Sequence, residues 1–185
     1  MKTVLNSSQE FTELVLNTGI ATWEDLLLHV KGLPYGRNAN RSNFKLVLIE
    51  GCGSCSSKHA FLKSVADENE VPQVELILAM YKMRGQNTKG VSTILDRYHL
   101  DYIPEAHCFL RVNGECLDLT SSSSNIDRIS EDILEEEVIH PVQVVEYKVE
   151  KHQSFLRKWL INSQLPYTFD EIWSIREECI GALSL

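Results

Sequence analysis

The chain has 185 residues, 43% of them hydrophobic, which is enough to bury one substantial core and predicts a single domain over 1–185. Its 18 Lys and Arg residues against 26 Asp and Glu residues give a net charge of −8, which opposes binding to phosphate backbones and to anionic membrane surfaces. Nucleic acid and membranes are therefore not expected partners, and the oligomeric state stays open.

The N-terminal residues and the cysteines indicate a cellular compartment. Residues 1–8 lack the apolar core of a signal peptide, and no apolar run approaches the roughly 20 residues that a membrane helix needs. Five cysteines are an odd number, which argues against a disulfide framework. We therefore expect a cytoplasmic protein with reduced thiols and no cofactor.

The first 50 residues predict two short helices, a loop and one short element that is either a strand or a helical turn. Apolar residues indicate a helix over 8–18, with Ser7 and Ser8 as possible caps, and a second one over 23–30, after Thr22. The stretch 32–43 is rich in Gly, Pro, Asn and Ser and predicts an ordered loop. The apolar run 44–49 fits a short strand or a helical turn equally well.

The central region predicts a helix that begins at Cys55. Gly53 relaxes the backbone before it, and Ser54 or Ser56 can cap its first turn. The stripe expected to be buried consists of Ala60, Phe61, Leu62, Val65 and Ala66. At a helix N-terminus, the backbone N–H groups and the positive end of the dipole favour a thiolate over a thiol, which makes Cys55 a candidate nucleophile.

A buried strand and a hairpin follow this helix. The dense apolar segment 71–83 predicts the buried strand. Asn113 and Gly114 stand between the apolar runs 106–112 and 116–119, and an Asn-Gly pair in that position is the strongest short signal for a two-residue turn. We therefore expect two antiparallel strands.

The hairpin also predicts which residues of its two strands are neighbours. With Asn113 and Gly114 in the turn, Val112 pairs with Glu115, so His107 pairs near position 120. Asp118 is then close to diagonal from His107, a relation that separates Cα atoms by about 7–8 Å. A carboxylate at that distance can reach an imidazole after a small adjustment.

The C-terminal third predicts an acidic helix over 130–138, a strand over 142–149 and amphipathic helices over 150–163 and 168–183. The large apolar residues of these helices are expected in the core: Trp159, Leu160 and Trp173.

The sequence supplies a thiol, an imidazole and a carboxylate in the order Cys55, His107, Asp118. An imidazole lowers the pKa of a thiol by pairing with the thiolate, and a carboxylate orients the ring and stabilises its charged form. These three residues are therefore the candidate catalytic triad.

These residues stand in three motifs, Gly-Ser-Cys-Ser-Ser-Lys-His-Ala-Phe-Leu at 53–62, Pro-Glu-Ala-His at 104–107 and Leu-Asp-Leu-Thr at 117–120. The motifs resemble those of the transglutaminase-like cysteine protease and acyltransferase superfamily, in particular its compact bacterial members. The resemblance is strongest over 33–120 and implies an α+β, papain-like fold in which the cysteine helix packs on an antiparallel sheet. The N-terminal helices and a C-terminal helical extension would be additions to it.

The resemblance also implies thiol-dependent acyl chemistry on an amide or peptide substrate. Cys55 would attack a carbonyl and form a thioester, His107 would move the proton, and Asp118 would hold the imidazole. Tyr35 and Arg37, in the loop before the cysteine, are candidate substrate-binding residues. Hydrolysis and transfer to an amine both remain open.

Two departures from the larger extracellular transglutaminases are present. Ser56 stands where those enzymes have Trp, and no calcium-loop signature is found. Calcium-activated protein crosslinking is therefore not expected.

Two other functions compete with the enzyme. A catalytically inactive binding module would keep the same scaffold. A metal or redox protein would use Cys52 and Cys55, with Cys108 and Cys116 as further ligands, although the second pair is spaced too widely for a usual zinc knuckle.

The residues that follow Cys55 raise one more alternative. His59 lies one helical turn along and competes with His107 as the base, but a packing or hydrogen-bonding role fits it better because it would lie beside the nucleophile's own backbone. Lys58 is expected to be solvated.

Overall fold

The computed structural model describes residues 2–183, which form an α+β fold. The α-helices of this range are α1 Glu10–Leu16, α2 Trp23–Gly32, α3 Leu46–Ile49, α4 Cys55–Glu68, α5 Ser92–Arg97, α6 Glu146–Ser163 and α7 Phe169–Ala182. The strands are β1 Val74–Met83, β2 Ile103–Val112, β3 Glu115–Leu117 and β4 Ile133–Ile139. Short 3-10 helices span Ile126–Arg128, Ser130–Asp132 and Pro141–Val144.

Within residues 2–183 the strands form one four-stranded antiparallel sheet in the order β3-β2-β1-β4. β1 is central and almost wholly buried, whereas β4 lies at an edge with most of its residues exposed. The α+β class expected from the sequence is therefore confirmed. No helix in this range is long and apolar enough to cross a bilayer.

The hairpin between β2 and β3 has the expected turn and register. Asn113 and Gly114 have φ angles of 51° and 85°, the left-handed values that a type I′ turn requires at both central positions. The paired residues are Leu110 with Leu117, Arg111 with Cys116 and Val112 with Glu115. β3 ends at Leu117, so Asp118 follows the strand directly instead of belonging to it.

Contacts between Cα atoms group the described residues into two compact units. The first consists of residues 2–78, Cys108–Ile126 and Glu137–Val145. The second consists of Ala79–His107, Asp127–Glu136 and residues 146–183.

The first unit is built around α4. Helices α1, α2 and α3 and the 3-10 helix Pro141–Val144 all contact it. The apolar stripe expected on this helix is buried, since Ala60, Phe61, Leu62 and Val65 are 0% exposed.

The cap expected from Ser7 or Ser8 is wrong, because the N-cap of α1 is Gln9, which makes no side-chain cap bond. Instead, the Glu68 carboxylate at the far end of α4 accepts hydrogen bonds from the Phe11 and Thr12 N–H groups at 3.1 and 2.7 Å.

Two sequence predictions in the C-terminal third are wrong. The acidic stretch 130–138 is a 3-10 turn followed by β4, because pairing with β1 overrides the modest helix preference of its glutamates. The stretch 142–149 is not a strand but the end of a 3-10 helix that Pro141 opens, followed by the start of α6.

The short element left open at 44–49 is helical, as α3. Trp159, Leu160 and Trp173, expected in the core, are only half-buried. The indole N–H of Trp159 donates to the Tyr102 hydroxyl at 3.0 Å. This polar partner accounts for the incomplete burial of the Trp159 ring.

A buried ion cluster ties α6 and α7 to β2 in the second unit. The Glu105 carboxylate is 6% exposed and accepts two hydrogen bonds from the Arg176 guanidinium, one of them from Nε at 2.6 Å. The His152 Nε2 atom lies 2.9 Å from the Pro104 carbonyl oxygen and 3.8 Å from Glu105. Burial pushes the pKa of Glu105 upward, but Arg176, His152 and Lys148 outweigh it and leave the pKa below its usual value.

Replacing Arg176 with Met should lower the free energy of unfolding by about 3–5 kcal/mol at pH 7, because the Glu105 carboxylate stays buried without its bidentate partner. Urea unfolding measures this. The double variant R176M/E105Q should recover most of the loss, since neither charge remains.

Arg97→Met is the matched control for Arg176→Met. Arg97 pairs with Glu178 at 3.2 Å on the surface, so its loss should cost less than about 1 kcal/mol. Equal losses for Arg97→Met and Arg176→Met would contradict a stabilising role for the buried cluster.

Candidate functional site

Cys55 is the first residue of α4, a capped helix of 14 residues. The Ser54 hydroxyl accepts a hydrogen bond from the Ser57 N–H at 3.3 Å, and the Ser57 hydroxyl accepts one from the Ser54 N–H at 3.0 Å. This reciprocal cap fixes where the helix begins. The half-buried Cys55 thiol therefore lies where the helix dipole stabilises negative charge, as the sequence predicted.

The loop that precedes α4 is held against Gly53. The Gly53 N–H donates to the Pro34 carbonyl at 3.2 Å, and the Gly53 carbonyl accepts from the Gly36 N–H at 3.2 Å, around a bridge between Tyr35 and Gly53. Tyr35 is half-buried and the neighbouring Arg37 is exposed. The two candidate substrate-binding residues thus lie in the segment that pairs with the chain two residues before Cys55.

Gly53 has no room for a side chain. A Cβ atom there would lie 2.8 Å from Lys58 Cγ, 3.0 Å from Ser57 Oγ and 3.3 Å from Val47 Cγ2. Because the first turn of α4 approaches this closely, glycine is required for packing and not for an unusual φ angle.

His59 is a structural histidine. Its Nδ1 donates to the Cys55 carbonyl oxygen at 2.7 Å, and its Nε2 accepts the Leu119 N–H at 2.9 Å. The ring is 0% exposed. Because both nitrogens already make hydrogen bonds to the backbone, the hydrogen-bonding role expected for His59 is confirmed and a role as general base is disfavoured.

Lys58 contradicts the expectation that it is solvated. Its side chain is 0% exposed, and its ammonium donates to the carbonyl oxygens of Leu33 and Thr120 at 2.5 and 2.8 Å. Burial lowers the pKa of Lys58 from 10.5 to about 8, although attraction by Cys52 and Asp118 partly opposes that effect. The sequence held a signal for this burial, since 58, 61, 62 and 65 share one helical face.

Asp118 lies in a tight turn directly after β3. Its Oδ1 accepts the Thr120 N–H at 3.0 Å. The Asp118 carboxylate also lies close enough to Lys58 for the two charges to attract each other. Cys55 and Asp118 both belong to the first unit, where the Lys58 and His59 contacts with 119–120 hold the turn against the first turns of α4.

His107 belongs to the second unit and lies on β2, half-buried. Its ring meets the Tyr81 ring edge-on, with centroids 6.1 Å apart and an interplanar angle of 73°. The pairing of His107 with Cys55 and with Asp118 stays a prediction.

The remaining cysteines of the described residues form no disulfide. Cys52 is half-buried, and the Asn38 side-chain amide donates to its carbonyl oxygen at 3.0 Å. Cys108 is buried in β2, with its sulfur 3.9 Å from the Ser56 hydroxyl. Among the side chains of residues 2–183, no group of three or more His, Cys, Asp or Glu is placed to hold a metal ion.

A groove of about 650 Å³ opens in the second unit between the beginning of β4 and α6. Its aromatic lining consists of Tyr102, Tyr147, Phe155 and Trp159. That volume lies within the range of small-molecule sites. Tyr147, Phe155 and Trp159 all lie on α6, whereas Tyr102 comes from a distant segment and joins them only in the fold.

No protein-family model, curated protein or solved structure matches this chain. The roles of Cys55, His107 and Asp118 therefore depend on the chemistry and placement of the residues themselves.

Replacing Gly53 with Ala should lower the melting temperature, because the new methyl group meets the Cγ of the buried Lys58 side chain. Thermal unfolding followed by circular dichroism measures the change. Gly32→Ala is the matched control, since a Cβ there meets nothing within 4 Å. Equal melting temperatures for G53A and the wild type would contradict the close packing described here.

The stability of the protein should depend on pH through Lys58. Between pH 8 and 10.5 the unfolded chain keeps the Lys58 proton while the folded chain releases it, so this group makes the free energy of unfolding rise with pH across that window. The full difference corresponds to about 3 kcal/mol.

Urea unfolding at several pH values between 7 and 10.5, on the wild type and on Lys58→Met, isolates this contribution, because all other groups titrate in both proteins. The wild type should gain stability relative to the variant as the pH rises. A difference that stays constant with pH would show that Lys58 keeps its ordinary titration.

Proposed function

We propose that this protein is a cysteine-dependent enzyme that cleaves an amide or peptide bond, or transfers its acyl group, with Cys55 as nucleophile. One observation carries the proposal: the half-buried Cys55 thiol occupies the first position of the capped helix α4. A thiolate there gains from the helix dipole and from N–H groups that have no acceptor within the helix.

The reaction proceeds in two steps. The Cys55 thiolate attacks the substrate carbonyl carbon, and His107 gives a proton to the departing amine, which leaves a thioester on Cys55. Water or an amine then attacks the thioester, His107 takes a proton from the attacking group, and the Cys55 thiolate leaves. The acid or the new amide is released.

Two further groups complete the site. The Cys55 backbone N–H, at the start of α4, is the natural donor to the oxyanion that forms during each attack. Asp118 orients the His107 ring and stabilises its protonated form. The order and identity of these residues are those of the transglutaminase-like superfamily, whose compact members they resemble.

Tyr35 and Arg37 are the proposed substrate-binding residues. They lie in the segment that pairs with Gly53, so hydrogen bonds join the backbone that carries these two side chains to the backbone just before Cys55. The exposed Arg37 guanidinium suits a carboxylate or a carbonyl oxygen of a peptide substrate.

The nucleophile is tested by alkylation with iodoacetamide at pH values from 5 to 9, with the modified cysteine identified by mass spectrometry of peptides. Cys55 should react well below pH 8, because the thiolate persists there, and His107→Ala should lose this early reactivity. Half-buried Cys52 and Cys116 provide internal references in the same samples.

His99→Ala is the matched control for His107→Ala, because it removes an imidazole from a surface turn. It should leave the alkylation of Cys55 unchanged. Slow alkylation of Cys55 with the same pH dependence in all three proteins would overturn the enzyme and favour a binding module on the same scaffold.

A further inference from the structure

We propose that Lys58 and His59 form a positioning clamp that fixes the Asp118 turn relative to Cys55. This inference rests on the proposed function, because it assigns these two residues the task of holding the carboxylate of the triad in register with the nucleophile.

The clamp consists of two consecutive side chains, Lys58 and His59, that hydrogen-bond to the backbone of two consecutive residues, Leu119 and Thr120. His59 Nε2 accepts the Leu119 N–H at 2.9 Å, and Lys58 Nζ donates to the Thr120 carbonyl oxygen at 2.8 Å. Both bonds are to the backbone, so they fix the course of the chain after Asp118 whatever the side chains at 119 and 120 are.

The same two side chains also hold the segments on either side of the nucleophile. His59 Nδ1 donates to the Cys55 carbonyl oxygen at 2.7 Å, so one ring joins the residue of the nucleophile to the residue after Asp118. Lys58 Nζ donates to the Leu33 carbonyl oxygen at 2.5 Å and ties in the start of the loop that carries Tyr35.

Burial makes this clamp rigid. Lys58 and His59 are both 0% exposed, and hydrogen bonds in such surroundings are electrostatically stronger than in water. The Gly53 backbone packs closely against Lys58, since a Cβ at Gly53 would lie 2.8 Å from Lys58 Cγ.

Asp118 adds a third restraint to the same turn. Its Oδ1 accepts the Thr120 N–H at 3.0 Å, so the carboxylate is held by the peptide group next to the one that Lys58 grips. The charge of Lys58 attracts this carboxylate, and the pKa of Lys58 near 8 leaves most of that charge in place at neutral pH. Cys52 and Asp118 are the groups whose charges act on Lys58.

A clamp makes two predictions that a general packing role does not. In His59→Leu, the amide of Leu119 should exchange its hydrogen at least about tenfold faster, because its acceptor is gone. The pH midpoint of Cys55 alkylation should rise by about one unit, because a displaced Asp118 no longer supports the imidazole that ionises the thiol.

His59→Gln should restore much of both properties, since its amide oxygen can still accept the Leu119 N–H. Lys58→Met should raise the alkylation midpoint in the same direction through loss of the Thr120 bond, although the Leu119 N–H keeps its acceptor. Lys63→Met is the matched control, because Lys63 lies on the same helix and pairs with the exposed Asp67. It should change neither the Leu119 exchange rate nor the alkylation midpoint.

Hydrogen exchange measured by NMR and alkylation followed by mass spectrometry, on the same samples, distinguish the outcomes. Faster exchange with an unshifted alkylation midpoint overturns the positioning role, and so does unchanged exchange at Leu119. If the proposed function itself is wrong, the wild type shows only slow, late alkylation of Cys55, and the midpoint is alike in every variant.

Discussion

An ammonium group leaves water only where oxygen atoms replace its hydration, and Lys58 meets that condition with the carbonyl oxygens of Leu33 and Thr120. The arrangement around Cys55 depends on this contact. It joins the loop before Cys55 and the turn after β3 to the first turns of α4, three segments that lie apart along the chain. Gly53 is part of the same arrangement, because only a residue without a side chain lets the helix approach so closely. The lowered pKa of Lys58 reflects the free-energy cost of burying its positive charge.

The second unit uses the same principle with a full ion pair. Glu105 is buried in β2, two residues before His107, and Arg176 of α7 neutralises it through two hydrogen bonds. His152 of α6 holds the carbonyl of Pro104 on the same strand. The C-terminal helices are thus fastened by buried polar bonds to the strand that carries the candidate base. An extension attached in this way is part of the folding unit, since removing it would leave a carboxylate buried without its cation.

Local chemistry made some features predictable from the sequence and long-range pairing hid others. The Asn113-Gly114 turn and the start of α4 at Cys55 follow from short signals, and both were predicted correctly. β4 was mistaken for a helix because its glutamates carry no strand signal, and only its pairing with β1 makes it a strand. The burial of Lys58 was not predicted, because a charged side chain is normally solvated. The sequence nevertheless places Lys58 on the buried face of α4. The aromatic groove beside α6 was not predicted, because Tyr102 and the beginning of β4 meet the aromatic residues of α6 only in the folded chain.

The composition of β4 has a consequence for the protein at high concentration. A strand at the border of a sheet offers its backbone to any other extended chain, including the same strand of another copy. Glu135, Glu136 and Glu137 occupy the middle of this border. If two copies aligned there, rows of carboxylates would face each other at the spacing of neighbouring strands, and their repulsion would oppose growth of a continuous fibre.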